Sequence, residues 1–128
     1  MATKYAFPIF ASIAMNAHEA GMAAGNAARP TPMHLVEADI WGRPKPGAEV
    51  HCVNEGPCGF AWVWLKGNTP FGKWAKAQGM ARTGYPNGLE IACHEFNQSM
   101  ERKDAYARAF AAVLTSHGIA CHSNSRMD

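Results

Sequence analysis

Residues 89–124 read LEIACHEFNQSMERKDAYARAFAAVLTSHGIACHSN, and they contain the clearest helix signal in the chain. Ser99 can cap a helix N-terminus and His117-Gly118 can end one, which predicts a helix over 99–116. This helix would bury one apolar stripe, formed by Tyr106, Phe110, Val113 and Leu114. Apolar segments on either side predict a strand–helix–strand unit, whose right-handed crossover would make the two strands parallel.

The residues before this unit predict the rest of a sheet. Alternation over 34–41, a short segment over 49–54 and a continuous apolar run over 60–65 are typical of three strands. Short connections between them predict an antiparallel meander within 34–66, with its third strand central and covered on both faces. The turn Tyr85-Pro86-Asn87-Gly88 predicts a hairpin that leads into the strand before the long helix.

Two further helices are predicted outside the sheet. Thr69-Pro70 favours a helix start and Gly79 a stop, so we expect a short helix over 70–78. The alanine-rich residues 10–28 predict an N-terminal helix whose small side chains let another helix approach closely. Residues 1–128 are therefore expected to form a single α+β domain, in which a mixed or antiparallel sheet of about five strands packs against one long helix.

The chain contains few large aliphatic residues that could form a hydrophobic core. Hydrophobic residues make up 48% of the chain, but 23 residues are alanine, and Val, Ile, Leu and Phe together number only 20 of 128. This share is below the usual value for globular domains, so aromatic, methionine and close alanine packing must compensate. We therefore expect a homo-oligomer or a stable protein complex, with the alanine-rich helix on a face of the domain or in a subunit interface.

Cysteine content and hydropathy indicate in which cellular compartment the protein is expected. Four cysteines in 128 residues are too few for a disulfide scaffold, and no apolar run approaches the roughly 20 residues that a membrane span requires. A faint resemblance to a signal peptide near the start is interrupted by Pro8 and lacks a clean cleavage site. We expect a cytoplasmic protein with reduced cysteines and no membrane partner.

Charge is unevenly distributed along the chain. The net charge of +2 excludes an acidic nucleic-acid mimic and a strongly basic DNA-coating protein. Residues 56–89 contain four basic residues and no acid, whereas the rest of the chain has eight basic and ten acidic residues. Cations beside aromatic rings can hold phosphates and stack bases. The predicted ligand-binding residues of this segment are Lys66, Phe71, Lys73, Trp74, Lys76, Arg82 and Tyr85.

The function that this pattern favours is that of a small non-enzymatic binding or regulatory protein. Its basic–aromatic surface over 66–85 would recognise an anionic ligand, either nucleic acid or another phosphate-bearing molecule, or a protein partner. A regulator or inhibitor encoded by a phage or mobile element belongs to this class. Three further rings are assigned to the core because aliphatic side chains are scarce, namely Phe60, Trp62 and Trp64.

The alternative is a small metal-dependent or acid–base enzyme. Glu37 and Asp39 share one face of a predicted strand. Glu49 and His51 share a face of the next strand, so carboxylates and an imidazole could converge and bind a cation or transfer protons. If their strands are neighbours, four cysteines could instead bind zinc: Cys52, Cys58, Cys93 and Cys121.

The zinc alternative depends on a short repeat. Ile91-Ala92-Cys93-His94 recurs as Ile119-Ala120-Cys121-His122, and the crossover could place both copies side by side in similar register. No C-x-x-C pair sets ligand spacing locally, and cysteine is commonly a small core residue. No metal or other cofactor is therefore favoured, although zinc stays an alternative. The sequence contains neither a phosphate-binding loop nor a dinucleotide fingerprint.

Overall fold

A computed structural model describes residues 3–31, 33–36, 50–53, 56–84, 87–97 and 99–127. Within these ranges the chain forms three helices, α1 (Thr3–Ala27), α2 (Pro70–Ala77) and α3 (Met100–Ser116). It also forms six strands, β1 (Met33–Val36), β2 (Val50–Val53), β3 (Gly59–Leu65), β4 (Arg82–Thr83), β5 (Leu89–Ala92) and β6 (Cys121–Met127). The expected α+β class is confirmed.

Four of the strands form one antiparallel sheet in the order β4–β5–β3–β6. β3 pairs with β5 through its C-terminal half and with β6 along its whole length, from Gly59 opposite Met127 to Leu65 opposite Cys121. β4 and β5 form the predicted hairpin, in which the Gly84 amide donates to the Gly88 carbonyl at 2.9 Å. The central position predicted for the apolar 60–65 run is therefore confirmed.

Two parts of the predicted topology are wrong. In the described residues, β1 and β2 pair only with each other. The meander predicted over 34–66 therefore does not continue into β3. Residues 37–49 of that predicted meander lie outside the described residues. β5 and β6 run in the same direction, but β3 lies between them and is antiparallel to both. The main sheet is therefore antiparallel, with four strands instead of about five. The reason is that β3 satisfies backbone groups of β5 on one side and of β6 on the other.

The long helix α3 lies between the sheet and α1, packing on β3 and β6 with one side and on α1 with another. The Ser99 hydroxyl caps it by accepting a hydrogen bond from the Arg102 amide at 3.4 Å. α2 begins as predicted, with the Thr69 hydroxyl accepting from the Gly72 amide at 3.1 Å. One long helix was expected, and α1, with 25 residues, is longer still. The buried residues of α3 are Lys103, Tyr106, Ala107, Phe110, Ala111 and Leu114.

Glycine in α1 permits close contact with α3. A Cβ atom at Gly21 would lie 2.6 Å from Cδ2 of Tyr106, closer than two carbon atoms approach. The Tyr106 hydroxyl and Nδ1 of His18 share a hydrogen bond of 2.6 Å across the same helix pair. The close approach predicted for the alanine-rich helix therefore occurs within the chain, against α3.

We expect Gly21→Val to destabilise the fold, because the added side chain must displace the Tyr106 ring. Overpacking of this kind costs about 1–3 kcal/mol of unfolding free energy. The matched control is Ala23→Val, an exposed position of the same helix that adds the same β-branched side chain. Urea unfolding measures both variants, and equal stabilities would show that α1 and α3 are not in this contact.

Candidate functional site

In the part of the chain that the structure describes, α3 covers one face of the main sheet, and we call the opposite face the open face. Along β3 the covered face buries three residues, Ala61, Val63 and Leu65. Phe60, Trp62 and Trp64 point to the opposite face, because successive strand side chains alternate. Phe60 is 40% exposed, and the two tryptophans are half-buried. The expectation that β3 is covered on both faces, with these rings in the core, is therefore corrected.

Strand β6 places polar side chains beside these rings. Directly opposite residues of an antiparallel pair share a face, and the register sets Arg126 against Phe60 and His122 against Trp64. The Arg126 guanidinium lies 5.5 Å from the centre of the Phe60 ring, within cation–π range. His122 stacks on Trp64 with ring centres 5.0 Å apart and planes at 14°. The strand register therefore places Arg126 on the same face of the sheet as Phe60.

Lys103 reaches the Phe60 ring from α3. The residue is only 7% exposed, and its Nζ lies 5.7 Å from the centre of that ring. In the described part of the chain, no carboxylate lies within ion-pair distance of this ammonium. Burying a charge is costly unless a partner compensates the lost hydration. The side chain of Lys103 is therefore largely buried, but its ammonium keeps some access to solvent and has no acid partner among the described residues.

A cavity of about 760 Å³ lies beside β3 where the chain leaves β5, and residues of the open face, of the covered face and of α3 line it. Arg82 and Glu90 form an ion pair of 3.5 Å at this cavity and compensate each other. Lys103 and Arg126 add two positive charges, so the cavity is electropositive. Its volume is in the range of small-molecule sites. The lining residues are Phe60, Ala61, Trp62, Arg82, Glu90, Ala92, Cys93, His94, Asn97, Lys103 and Arg126.

Cys93 lines the same cavity as a neutral thiol. Burial raises the pKa of this thiol, although a hydrogen bond with the Glu95 backbone and the positive charge of Lys103 act in the opposite direction. Burial also raises the pKa of Cys121, at the start of β6. Because the thiolate is the reactive form, these environments disfavour covalent chemistry by either cysteine at neutral pH.

Helix α2 buries its rings and exposes its lysines. Phe71 and Trp74 are 2% and 8% exposed, and both rings contact Phe10 of α1. Lys73 and Lys76 are exposed. The assignment of Phe71 and Trp74 to a ligand-binding surface is therefore corrected. An amphipathic helix in a chain with few aliphatic residues buries its largest apolar side chains.

The other residues of the predicted 66–85 surface are dispersed. Lys66 is exposed at the end of β3, and Tyr85 lies outside the described residues. Of the predicted ligand-binding residues that the structure describes, only Arg82 lines the cavity. Sequence reasoning missed Lys103 and Arg126. It also missed the signal in the 60–65 run, where aromatic rings alternate with smaller side chains in the pattern of a two-faced strand.

The alternative metal sites find no support in the described residues. In that part of the chain, no group of three or more His, Cys, Asp or Glu side chains could hold a metal ion. The Cys93 amide bonds the Ala61 carbonyl, whereas Cys121 pairs with Leu65 on the other side of β3. The two repeat copies are therefore offset by about 13 Å of strand rise, and the expected similar register is wrong.

One remaining residue that the sequence predicts for an enzyme or metal site is an exposed cysteine, and the others lie outside the described residues. Cys58 is a free, exposed cysteine beside the start of β3. It forms an isolated antiparallel bridge with Ser99, at the N-cap of α3. The candidates outside the described part are Glu37, Asp39, Glu49 and the side chains of His51 and Cys52.

Comparison with known proteins assigns the chain to no family. No family model, no curated protein and no solved structure matches it. Among the described helices, none combines the length and apolar character that crossing a bilayer requires.

We expect Cys58 to react with iodoacetamide faster than Cys93 in the native protein at neutral pH. Cys58 is exposed, whereas burial both shields the Cys93 thiol and raises its pKa, which lowers the thiolate fraction. Peptide-level mass spectrometry separates the two sites. In urea the two rates should converge, and a native Cys93 rate equal to that of Cys58 would contradict the described burial.

Proposed function

We propose that the protein is a non-enzymatic binding protein that recognises an anionic, phosphate-bearing ligand through a basic–aromatic surface. The surface lies on the open face of the sheet, and we call it the open-face site. The residues that define it are Phe60, Trp62, Arg82, Lys103 and Arg126. This proposal keeps the kind of surface that the sequence predicts, and it places that surface on β3 and its neighbours instead of on α2.

The observation that carries the proposal is Lys103, a largely buried side chain whose ammonium keeps some access to solvent. It lines the cavity, it is 7% exposed, and the described residues give it no acid partner. A cation without an acid partner that loses part of its hydration on folding lowers the stability of the protein that contains it. A bound anion would compensate that charge, which supports an anionic ligand at this position.

The distribution of charge supports the same ligand class. Arg126 and Lys103 approach the same ring, that of Phe60, so two positive charges converge at one end of the cavity. Glu90 pairs with Arg82 instead and stands opposite Trp64 in the register, about 13 Å along β3 from Phe60. At physiological ionic strength the screening length is about 8 Å, so this carboxylate only weakly repels an anion near Phe60.

The state of the titratable groups favours binding over catalysis. The Cys93 thiol is held protonated by burial, and the Glu90 carboxylate is engaged by Arg82. Neither group is therefore prepared to act as a nucleophile or as a general base. The cavity presents cations and rings, which are the groups that hold anionic ligands without changing them.

We expect Lys103→Met to weaken the binding of inorganic pyrophosphate at low salt by about tenfold or more, as loss of a charge-assisted hydrogen bond does. Isothermal titration calorimetry measures the affinity. Lys73→Met is the matched control, since it removes the same charge from the exposed surface of α2. The proposal fails if wild-type protein does not bind the probe, or if both variants weaken it equally.

We also expect Lys103→Met to raise the unfolding free energy by about 1 kcal/mol in the absence of anions. The variant keeps a long apolar side chain and removes a partly desolvated charge without an acid partner. Thermal and urea unfolding measure the change. If Lys103→Met is strongly destabilising, then the ammonium has a structural partner, and the inference that it is kept for a ligand is wrong.

A further inference from the structure

We infer that the open-face site binds one nucleotide unit, with its phosphate between Lys103 and Arg126 beside Phe60 and its base stacked on Trp62. This inference rests on the proposed function and specifies its ligand. The unit could be a free nucleotide or part of a single strand of nucleic acid, because both present the same phosphate and base. The juxtaposition of two cations with one uncovered indole ring carries the argument.

The phosphate position follows from the two cations at Phe60. Nζ of Lys103 and the guanidinium of Arg126 lie 5.7 Å and 5.5 Å from the centre of that ring. Both cations therefore lie within 6 Å of the centre of one ring, and the Phe60 ring is occupied by these contacts. A guanidinium offers a planar fork and an ammonium a compact charge, and both donor types bind phosphate oxygens.

The base position follows from a comparison of the two open-face tryptophans. Trp64 is engaged, since His122 stacks on it and its Nε1 donates a hydrogen bond to the Asn87 carbonyl at 2.9 Å. Trp62 makes no ring contact with another aromatic side chain in the described residues. Its partners across β5 and β6 are Ala92 and Asn124, whose side chains are small.

The spacing and size of the site suit one nucleotide. Phe60 and Trp62 are separated by two residues of β3, about 7 Å of strand rise, so the cations and the free ring are adjacent but distinct. The cavity of about 760 Å³ is large enough for a ligand of this size and lies beside β3. A simple polyanion would use the cations and leave no role for the uncovered indole.

The test compares three probes on wild-type protein by calorimetry: adenosine 5′-monophosphate, adenosine and inorganic phosphate. We expect the nucleotide to bind about tenfold more tightly than phosphate, since stacking on an aromatic side chain contributes that much. Adenosine should bind more weakly than the nucleotide. A fourth probe, a single-stranded oligodeoxyadenylate, distinguishes a site for free nucleotides from a site for single-stranded nucleic acid. Tighter binding than the nucleotide points to nucleic acid, and equal or weaker binding points to a free nucleotide.

Two variants of one residue isolate the stacking contribution. Trp62→Leu should abolish the preference for the nucleotide over phosphate, whereas Trp62→Phe keeps an aromatic face and should retain most of it. In Trp62→Leu the nucleotide affinity should fall more than the phosphate affinity, because the cations are intact. If Trp62→Leu does not fold, saturation-transfer NMR on wild-type protein replaces it. Transfer to the adenine protons supports the inference, and its absence overturns it.

Failure of this inference is distinct from failure of the proposed function. If phosphate and pyrophosphate bind through Lys103 but the nucleotide binds no more tightly, the site is an anion site and the nucleotide assignment is wrong. If the nucleotide preference survives Trp62→Leu, the base does not stack where we place it. If neither inorganic anion binds, the proposed function itself is wrong.

Discussion

The packing of β3 on α3 is the contact on which the rest of the structure depends. Ala61, Val63 and Leu65 are buried on the covered face of the sheet, and β5 and β6 pair with β3 on either side. Because strand side chains alternate, the same contact directs Phe60, Trp62 and Trp64 to the opposite face. The aromatic open face is thus a direct geometrical consequence of how the protein builds its core from small residues.

The open face also connects stability with binding. Lys103 belongs to α3, the helix that covers the other face, and its ammonium nevertheless reaches the Phe60 ring and the cavity. Its side chain is largely buried, and long cationic side chains commonly bury their methylene stems in this way. A methionine would fill this space without a desolvation cost, so a lysine here is understandable if an anion binds. The groups that destabilise the free protein are then the groups that hold its ligand.

Local signals in the sequence predicted most elements, and tertiary pairing explains the errors. Ser99 and Thr69 cap helices where expected, because capping depends only on nearby residues. The insertion of β3 between β5 and β6 depends on long-range hydrogen bonds, which local periodicity does not encode. For the site, the residue types in the sequence indicated its cationic and aromatic chemistry. The sequence did not indicate on which face of a strand or helix each of these residues lies. A lysine inside a helical stripe is expected to face solvent, so Lys103 could not be identified from the sequence.

The most direct test of the account is to observe the side-chain ammonium of Lys103 by ¹H–¹⁵N NMR while inorganic phosphate is added at low salt. An ammonium that contacts phosphate should shift and exchange its protons more slowly, while the exposed lysines of α2 should hardly change. The account predicts a saturable shift that is confined to Lys103. A resonance of Lys103 that stays unchanged while the exposed lysines shift together would contradict it.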